Sequence, residues 1–207
     1  MFVPRTLTQR AYVMCLDNPR VPVVIGTGPA GTGKTLFACH VGAQKLREGA
    51  VKRIVMTRPA VSVDEQHGFL PGTLENKMDP WVRPMVDIMS NYYSQKKIDE
   101  MLYDRVIEIC PLAYMRGRTF DHAWIMADEM QNSTPNQMRM VLTRIGQGSK
   151  MVVTGDVDQH DRGFEQNGLW DLISRVTPDD ELINVVQFGQ GDIQRNKVIR
   201  QILKLYQ

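Results

Sequence analysis

A chain of 207 residues with 43% hydrophobic and 23% charged side chains has the size and make-up of one folded domain and excludes a disordered polypeptide. No apolar run reaches the ~18 residues of a membrane helix, and the first ten residues lack the apolar stretch of a secretory signal. Cys15, Cys39 and Cys110 are odd in number, far apart and without a CxxC pair, which argues against zinc and for a reducing compartment. The net charge of +2 is unevenly spread: residues 1–60 carry nine Lys/Arg against two Asp/Glu, residues 61–110 five against nine, and residues 111–207 eleven against twelve. A basic first quarter suits a polyanionic ligand such as nucleotide phosphates or nucleic acid; solvated helix faces give the same count.

In chain order, Val21–Ile25 is a short β-branched run ended by Gly26. Thr35–Arg47 is a helical pattern stopping at Gly49, and Arg53–Thr57 is a strand closed by Pro59. Segment 62–80, rich in Gly, Pro, Asp and Glu, reads as a long loop. Pro80–Met89 and Ile98–Asp104 read as helices, Val106–Cys110 and Ala123–Ala127 as strands. Thr134-Pro135 starts a helix running to about Ile145. Lys150–Thr154 and Leu182–Phe188 read as strands, Leu169–Arg175 and Arg195–Tyr206 as helices. Strands alternating with helices, without an internal repeat or a Gly/Ser linker, predict one α/β domain over residues 1–207: a mostly parallel sheet with helices on both faces. Ligands of such sheets bind at the carboxyl ends of the strands.

Three strand ends carry chemistry. Gly28-Pro29-Ala30-Gly31-Thr32-Gly33-Lys34-Thr35 fits GxxxxGK[ST], and it follows a strand and opens a helix. Glycines let the backbone wrap phosphate with its N–H groups inward, the helix N-terminus adds partial positive charge, Lys34 reaches the β- and γ-phosphates, and Thr35 ligates Mg²⁺. In Trp124-Ile-Met-Ala-Asp128-Glu129 an apolar run drives a buried strand whose end presents two carboxylates, Asp128 for Mg²⁺ and Glu129 as general base on water. Val153-Thr154-Gly155-Asp156-Val157-Asp158-Gln159 ends a third strand in a polar turn, where Gln159 or Asp156 senses the γ-phosphate. With no other His or Cys at ligand spacing, the acids beside His160 do not read as a metal site.

Together the phosphate loop, the Asp-Glu pair and GDxxQ resemble the first motor domain of superfamily-one helicases. More narrowly, the chain resembles the PhoH-like proteins, phosphate-starvation ATPases of bacteria and phages. Stretches that carry the resemblance are Thr57-Arg58-Pro59-Ala60-Val61, Gly68-Phe-Leu-Pro71-Gly72, Lys77-Met78-Asp79-Pro80, Arg116-Gly117-Arg118-Thr119, Asp128-Glu129-Met130-Gln131-Asn132 and Leu142-Thr143-Arg144-Ile145-Gly146. Asn196-Lys197 replaces a family His-Pro, and Ala127 stands where leucine is usual. The resemblance implies a RecA-like P-loop NTPase fold, ATP and Mg²⁺ as ligands, ATP hydrolysis, ring-shaped homo-oligomers such as hexamers, and activity on RNA in some members. It implies the bacterial cytoplasm, or the host cytoplasm for a phage protein. RNA cleavage is not implied, since the nuclease domain of longer relatives is not in this sequence.

The resemblance also suggests roles outside the motifs. Gln9, by position, would read the adenine edge, for which an amide suits as paired donor and acceptor; the alternative is a solvated residue on a first helix. Arg195 would be an arginine finger for a neighbouring subunit, with Arg144 and Arg162 as rivals. Arg58, Arg116 and Arg118 lie where single-stranded RNA or DNA backbone contacts are needed, or pair with the acids of residues 61–110. Tyr92, Tyr93 and Trp81 read as core rather than base-stacking residues, and the methionines as core filling. Since 207 residues hold one motor domain, a neighbouring subunit is expected to complete the site. Alternatives to hydrolysis are an ATP-gated oligomeric scaffold or nucleic-acid-binding protein without turnover, and a P-loop kinase. The adjacent Asp-Glu pair speaks for water as the acceptor.

Overall fold

The apolar runs become strands; the four central ones are buried along nearly their whole length, and the two at the sheet edges only in part. β1 (Val23–Thr27), β2 (Arg53–Thr57), β3 (Ile107–Ile109), β4 (Ala123–Ala127), β5 (Lys150–Gly155) and β6 (Ile183–Gln187) pair in parallel as one sheet ordered β3-β2-β4-β5-β1-β6. This computed structural model describes residues 2–59, 83, 85–159 and 167–194. Successive side chains alternate between two cores, as the two-residue period of a strand requires. Trp124 and Met126 of β4 join Val24, Ile54, Met56 and Val152 on one face, while Ala123, Ile125 and Ala127 join Ile25, Val55, Met151 and Val153 on the other.

Helices cover both faces. α1 (Leu7–Asp17), α2 (Lys34–Arg47), a helical stretch over 85–89 and α3 (Gln95–Tyr103) pack on the first core. α4 (Pro135–Leu142) and α5 (Gly168–Arg175) pack on the second. α1 and α4 open with capping boxes: Thr6 accepts from the Gln9 N–H, Thr134 from the Gln137 N–H, and each glutamine side chain accepts from the cap backbone in return. Lys150, at the start of β5, closes the other end of α1. Its buried ammonium donates to the carbonyls of Cys15 (2.9 Å), Leu16 (2.6 Å) and Asn18 (2.8 Å), and burial draws its pKa down to about 8.

Some boundaries differ from the sequence reading. β1 runs over Val23–Thr27 rather than stopping at Gly26. It lies between β5 and β6, so both ladders carry it through Gly26 to Thr27, and the absent Cβ at Gly26 leaves room for the Tyr12 ring. α4 ends at Leu142, short of Ile145, because Ile145 and Gly146 turn to pair with Phe120. In the sequence α1 reads only as a first helix carrying Gln9, without bounds. Segment 62–80, most of the helix expected over 80–89, and the helix expected from Arg195 lie outside the described residues.

Tyr92 and Tyr93 pack on the first core, Tyr92 against the His40 ring at 5.4 Å, as their core reading expects. All three cysteines are free, two of them buried. Among the described residues no helix is long and apolar enough to cross a membrane.

Candidate nucleotide site

β1, β5 and β4 deliver their carboxyl ends side by side, with β5 between the other two. This places the three motifs together although the second lies far down the chain from the first. A cavity of about 240 Å³ opens there; Lys34, Thr35, Asp128, Glu129, Asp156 and Gln159 line it, together with the backbone of the glycine loop.

The loop from Gly28 to Gly33 is held by its own backbone. Gly28 donates to the Gly155 carbonyl at 3.1 Å, and at φ 132 with its missing Cβ directed onto the Phe188 carbonyl it admits no other residue without a shift. Thr32 is fully buried and its hydroxyl donates to the Pro29 carbonyl at 2.9 Å. Gly33 caps α2 without a side-chain acceptor, so the first-turn N–H groups face the cavity end of the helix as anion donors. The Lys34 ammonium donates to the carbonyls of Gly28 (2.5 Å) and Pro29 (2.8 Å). Burial lowers its pKa, and Asp156, Glu129 and Asp128 oppose that.

The acid pair has two different environments. Asp128 is buried, and its Oδ1 accepts from Thr35 Oγ1 at 2.9 Å and, closely, from Thr154 Oγ1. Burial raises its pKa; the Thr154 hydroxyl, Arg58 and the Thr35 hydroxyl pull it back, while Glu129 adds to the rise. Glu129 sits in the left-handed region (φ 54, ψ 37) at the mouth of the cavity. Its Oε2 accepts from Gln131 Nε2 at 2.5 Å, and its Oε1 lies 3.7 Å from the Arg58 guanidinium. Thr35 and Asp128 suit Mg²⁺: a hydroxyl and a carboxylate in hydrogen-bond contact are the protein oxygens such a site needs, since Mg²⁺ keeps several waters and takes further oxygens from phosphates.

Two members of this site were not assigned a role in the sequence. Thr154 supports Asp128 from the neighbouring strand. Gln131 bridges two motifs: it donates to Glu129, and its Oε1 accepts the Asp156 N–H at 3.1 Å. Gly155 has no Cβ because Gln131 Oε1 occupies that space. The available signal was the Gln two residues after Glu129 and the Thr-Gly before Asp156, both within motifs already recognised.

Other candidates fall elsewhere. Gln9 is buried, with its amide engaged by backbone on both sides: Oε1 accepts from Arg5 (2.7 Å) and Thr6 (3.3 Å), and Nε2 donates to Thr32 (3.0 Å) and Asp192 (3.4 Å). Gln9 is therefore not the solvated residue of the alternative reading, and its amide is bound to backbone. Arg118 forms a two-pronged pair with Glu108 at 2.5 and 2.9 Å and lies over the Phe120 ring, the pairing with the acidic segment that the charge count allowed. Arg116 is exposed. Arg144 Nη1 donates to the Arg118 carbonyl at 3.1 Å. Arg195 and Arg162 lie outside the described residues.

A parallel α/β sheet that brings a phosphate loop and an acidic pair to one edge defines the RecA-like class of P-loop NTPase folds. The profile of the family described as PhoH-like protein matches residues 1–207, and the chain belongs to that family. It is 40% identical over 204 residues to a PhoH-like protein of Synechocystis sp. and 41% identical over 202 residues to one of Bacillus subtilis. Each match covers 98% of this chain but 61% and 63% of those relatives, so the chain spans about three fifths of their length. Among solved structures, the UvsW helicase from bacteriophage T4 superposes with a TM-score of 0.51 at 13% identity, over 90% of this chain and 61% of that one, a likeness of fold.

Proposed function

We propose that this chain binds Mg·ATP across the ends of β1, β5 and β4 and hydrolyses it. The observation that carries the reading is the Thr35–Asp128 hydrogen bond, which joins the phosphate loop to the acidic pair with Glu129 beside it. Backbone N–H groups of the loop and of the α2 N-terminus bind the phosphates. Lys34 exchanges its two carbonyl acceptors for phosphate oxygens. Thr35 and Asp128 hold Mg²⁺, which when bound offsets phosphate charge as it shifts in the transition state. Glu129, at the cavity mouth and anchored by Gln131, accepts the proton of the attacking water. Gln159 and Asp156 line the same cavity, where the γ-phosphate is sensed.

The energy of hydrolysis serves binding or remodelling of single-stranded RNA or DNA, in a homo-oligomeric ring whose neighbouring subunit supplies an arginine, with Arg195 the first candidate. This part rests on family membership and on the exposed Arg116; Arg118 and Arg58 have acidic partners within the chain. Phosphate release measured with and without single-stranded RNA and DNA tests the whole reading. Glu129→Gln should keep ATP binding and lose hydrolysis by about 10²-fold or more. Bound ATP without turnover in the wild type under every condition would remove the ATPase claim, and light scattering that finds only monomers at full activity would remove the ring.

A further inference from the structure

A second cavity, of about 360 Å³, adjoins the phosphate site and shares Gly31, Gly33 and Leu36 with it. It extends past the N-terminus of α2 toward the segment that precedes α1, with Phe2, Val3 and Phe37 as its apolar lining. A nucleoside whose phosphates lie on the glycine loop has this cavity as its neighbour on the loop side, and its volume is at the small end of ligand pockets.

Among the described residues, the polar groups around it are poor readers of a base edge. An uncharged amide has two donor hydrogens and two acceptor lone pairs. In Gln9 all four are spent on backbone: the N–H groups of Arg5 and Thr6, and the carbonyls of Thr32 and Asp192. The orientation of that amide is dictated by its partners, since two donors face one end and two acceptors the other. Arg5 is exposed, so a hydrogen bond from it to a base competes with water, and its guanidinium stacks on any ring. Gln194 is exposed at the rim, so a hydrogen bond from its side-chain amide to a base competes with water and discriminates weakly.

Resting on the reading of this site as a triphosphate hydrolase, we infer that the Phe2–Phe37 cavity takes the nucleobase by apolar and stacking contact, that the substrate class is nucleoside triphosphates of any base, and that Gln9 acts as a positioning residue for the phosphate loop. Apolar contact and stacking discriminate weakly, because every base has a π-face. Gln9 instead ties three segments together: the cap of α1, the loop at Thr32 and the turn at Asp192, which is itself buried and accepts from Gly189 at 2.9 Å.

Two measurements test this. Hydrolysis of ATP, GTP, CTP and UTP by the wild type should give kcat/KM values within about tenfold of one another; a preference for ATP over GTP beyond that overturns the inference. Next, binding of Mg·ATP and of Mg·tripolyphosphate, which has no base, is compared in the wild type and in Gln9→Glu. The glutamate keeps the acceptor toward Arg5 and Thr6 but sets an oxygen against the Thr32 and Asp192 carbonyls. Both ligands should weaken together, by about tenfold or more. Loss of ATP binding with tripolyphosphate binding unchanged would return Gln9 to the base edge and overturn the inference, while ATP hydrolysis itself stood. A wild type that binds neither ligand would overturn the triphosphate site, and this inference with it.

Discussion

Replacing Gln131 by methionine, which has similar length but no amide, cuts both ends of the link between Glu129 and the end of β5. At one end Glu129 loses its hydrogen bond from Nε2, and at the other the Asp156 N–H loses its acceptor. A positioned general base contributes about 10²–10⁴-fold, which bounds the loss from above. Arg58 and the left-handed backbone still restrain Glu129, so kcat should fall by about ten- to a hundredfold rather than by the whole amount. Gln131 lines no part of the nucleotide cavity, so KM should hold steady. The orphaned buried N–H costs about 1–3 kcal/mol, seen as a drop of about 2–10 °C in Tm for a chain of this size. Steady-state phosphate release and a thermal melt on the same sample read both effects. A lower Tm with unchanged kcat would show Gln131 to be structural only and refute the reasoning; a raised KM at constant kcat would mean that it touches nucleotide.

Thr154→Val removes a hydroxyl that steadies ionised Asp128, whose pKa burial already raises. The acid limb of the ATPase pH profile should therefore move to higher pH, and an unmoved limb would sever Asp128 from that limb. Lys150 has a folded pKa of about 8 against an ordinary 10.5, so between these values the unfolded chain binds more protons and stability rises with pH. Relative to Lys150→Met, the wild type should gain about 2 kcal/mol between pH 7 and 9.5 in denaturant titrations, and a flat difference would contradict the burial argument. Arg116→Ala should lower the salt slope of single-stranded RNA or DNA binding by about one. Arg118→Ala, which breaks a pair with Glu108, should leave that slope alone and cost about 1 kcal/mol of stability; the opposite pattern, read from affinity at several salt concentrations, would exchange the two roles.

By itself the sequence determined the class of the fold and the motifs of the candidate nucleotide site, because both are written in short-range patterns. Apolar runs of about five residues, most of them followed by a helical period, specify a parallel sheet. GxxxxGKT between a strand and a helix specifies a phosphate loop, whose chemistry depends on backbone geometry that neighbouring glycines dictate. The Thr6-x-x-Gln9 capping box is equally local, but in the sequence Gln9 reads only as an adenine contact or a solvated residue.

What only the tertiary structure decided depends on which strands become neighbours. β5 lies between β1 and β4, and that order alone lets Thr154 and Thr35 meet on one oxygen of Asp128. It likewise sets Gln131 against Asp156, and Lys150 against the end of α1. Arg118 had two readings in the sequence, a nucleic-acid contact or a pair with the acids of residues 61–110, until the fold placed Glu108 beside it. A glutamine or arginine has the same composition whether solvated or engaged, and its partner here is a group brought close by packing of the sheet. Hydrogen bonds of that kind leave no periodicity in the chain, since their cost and their gain arise only when water is excluded from between the two groups.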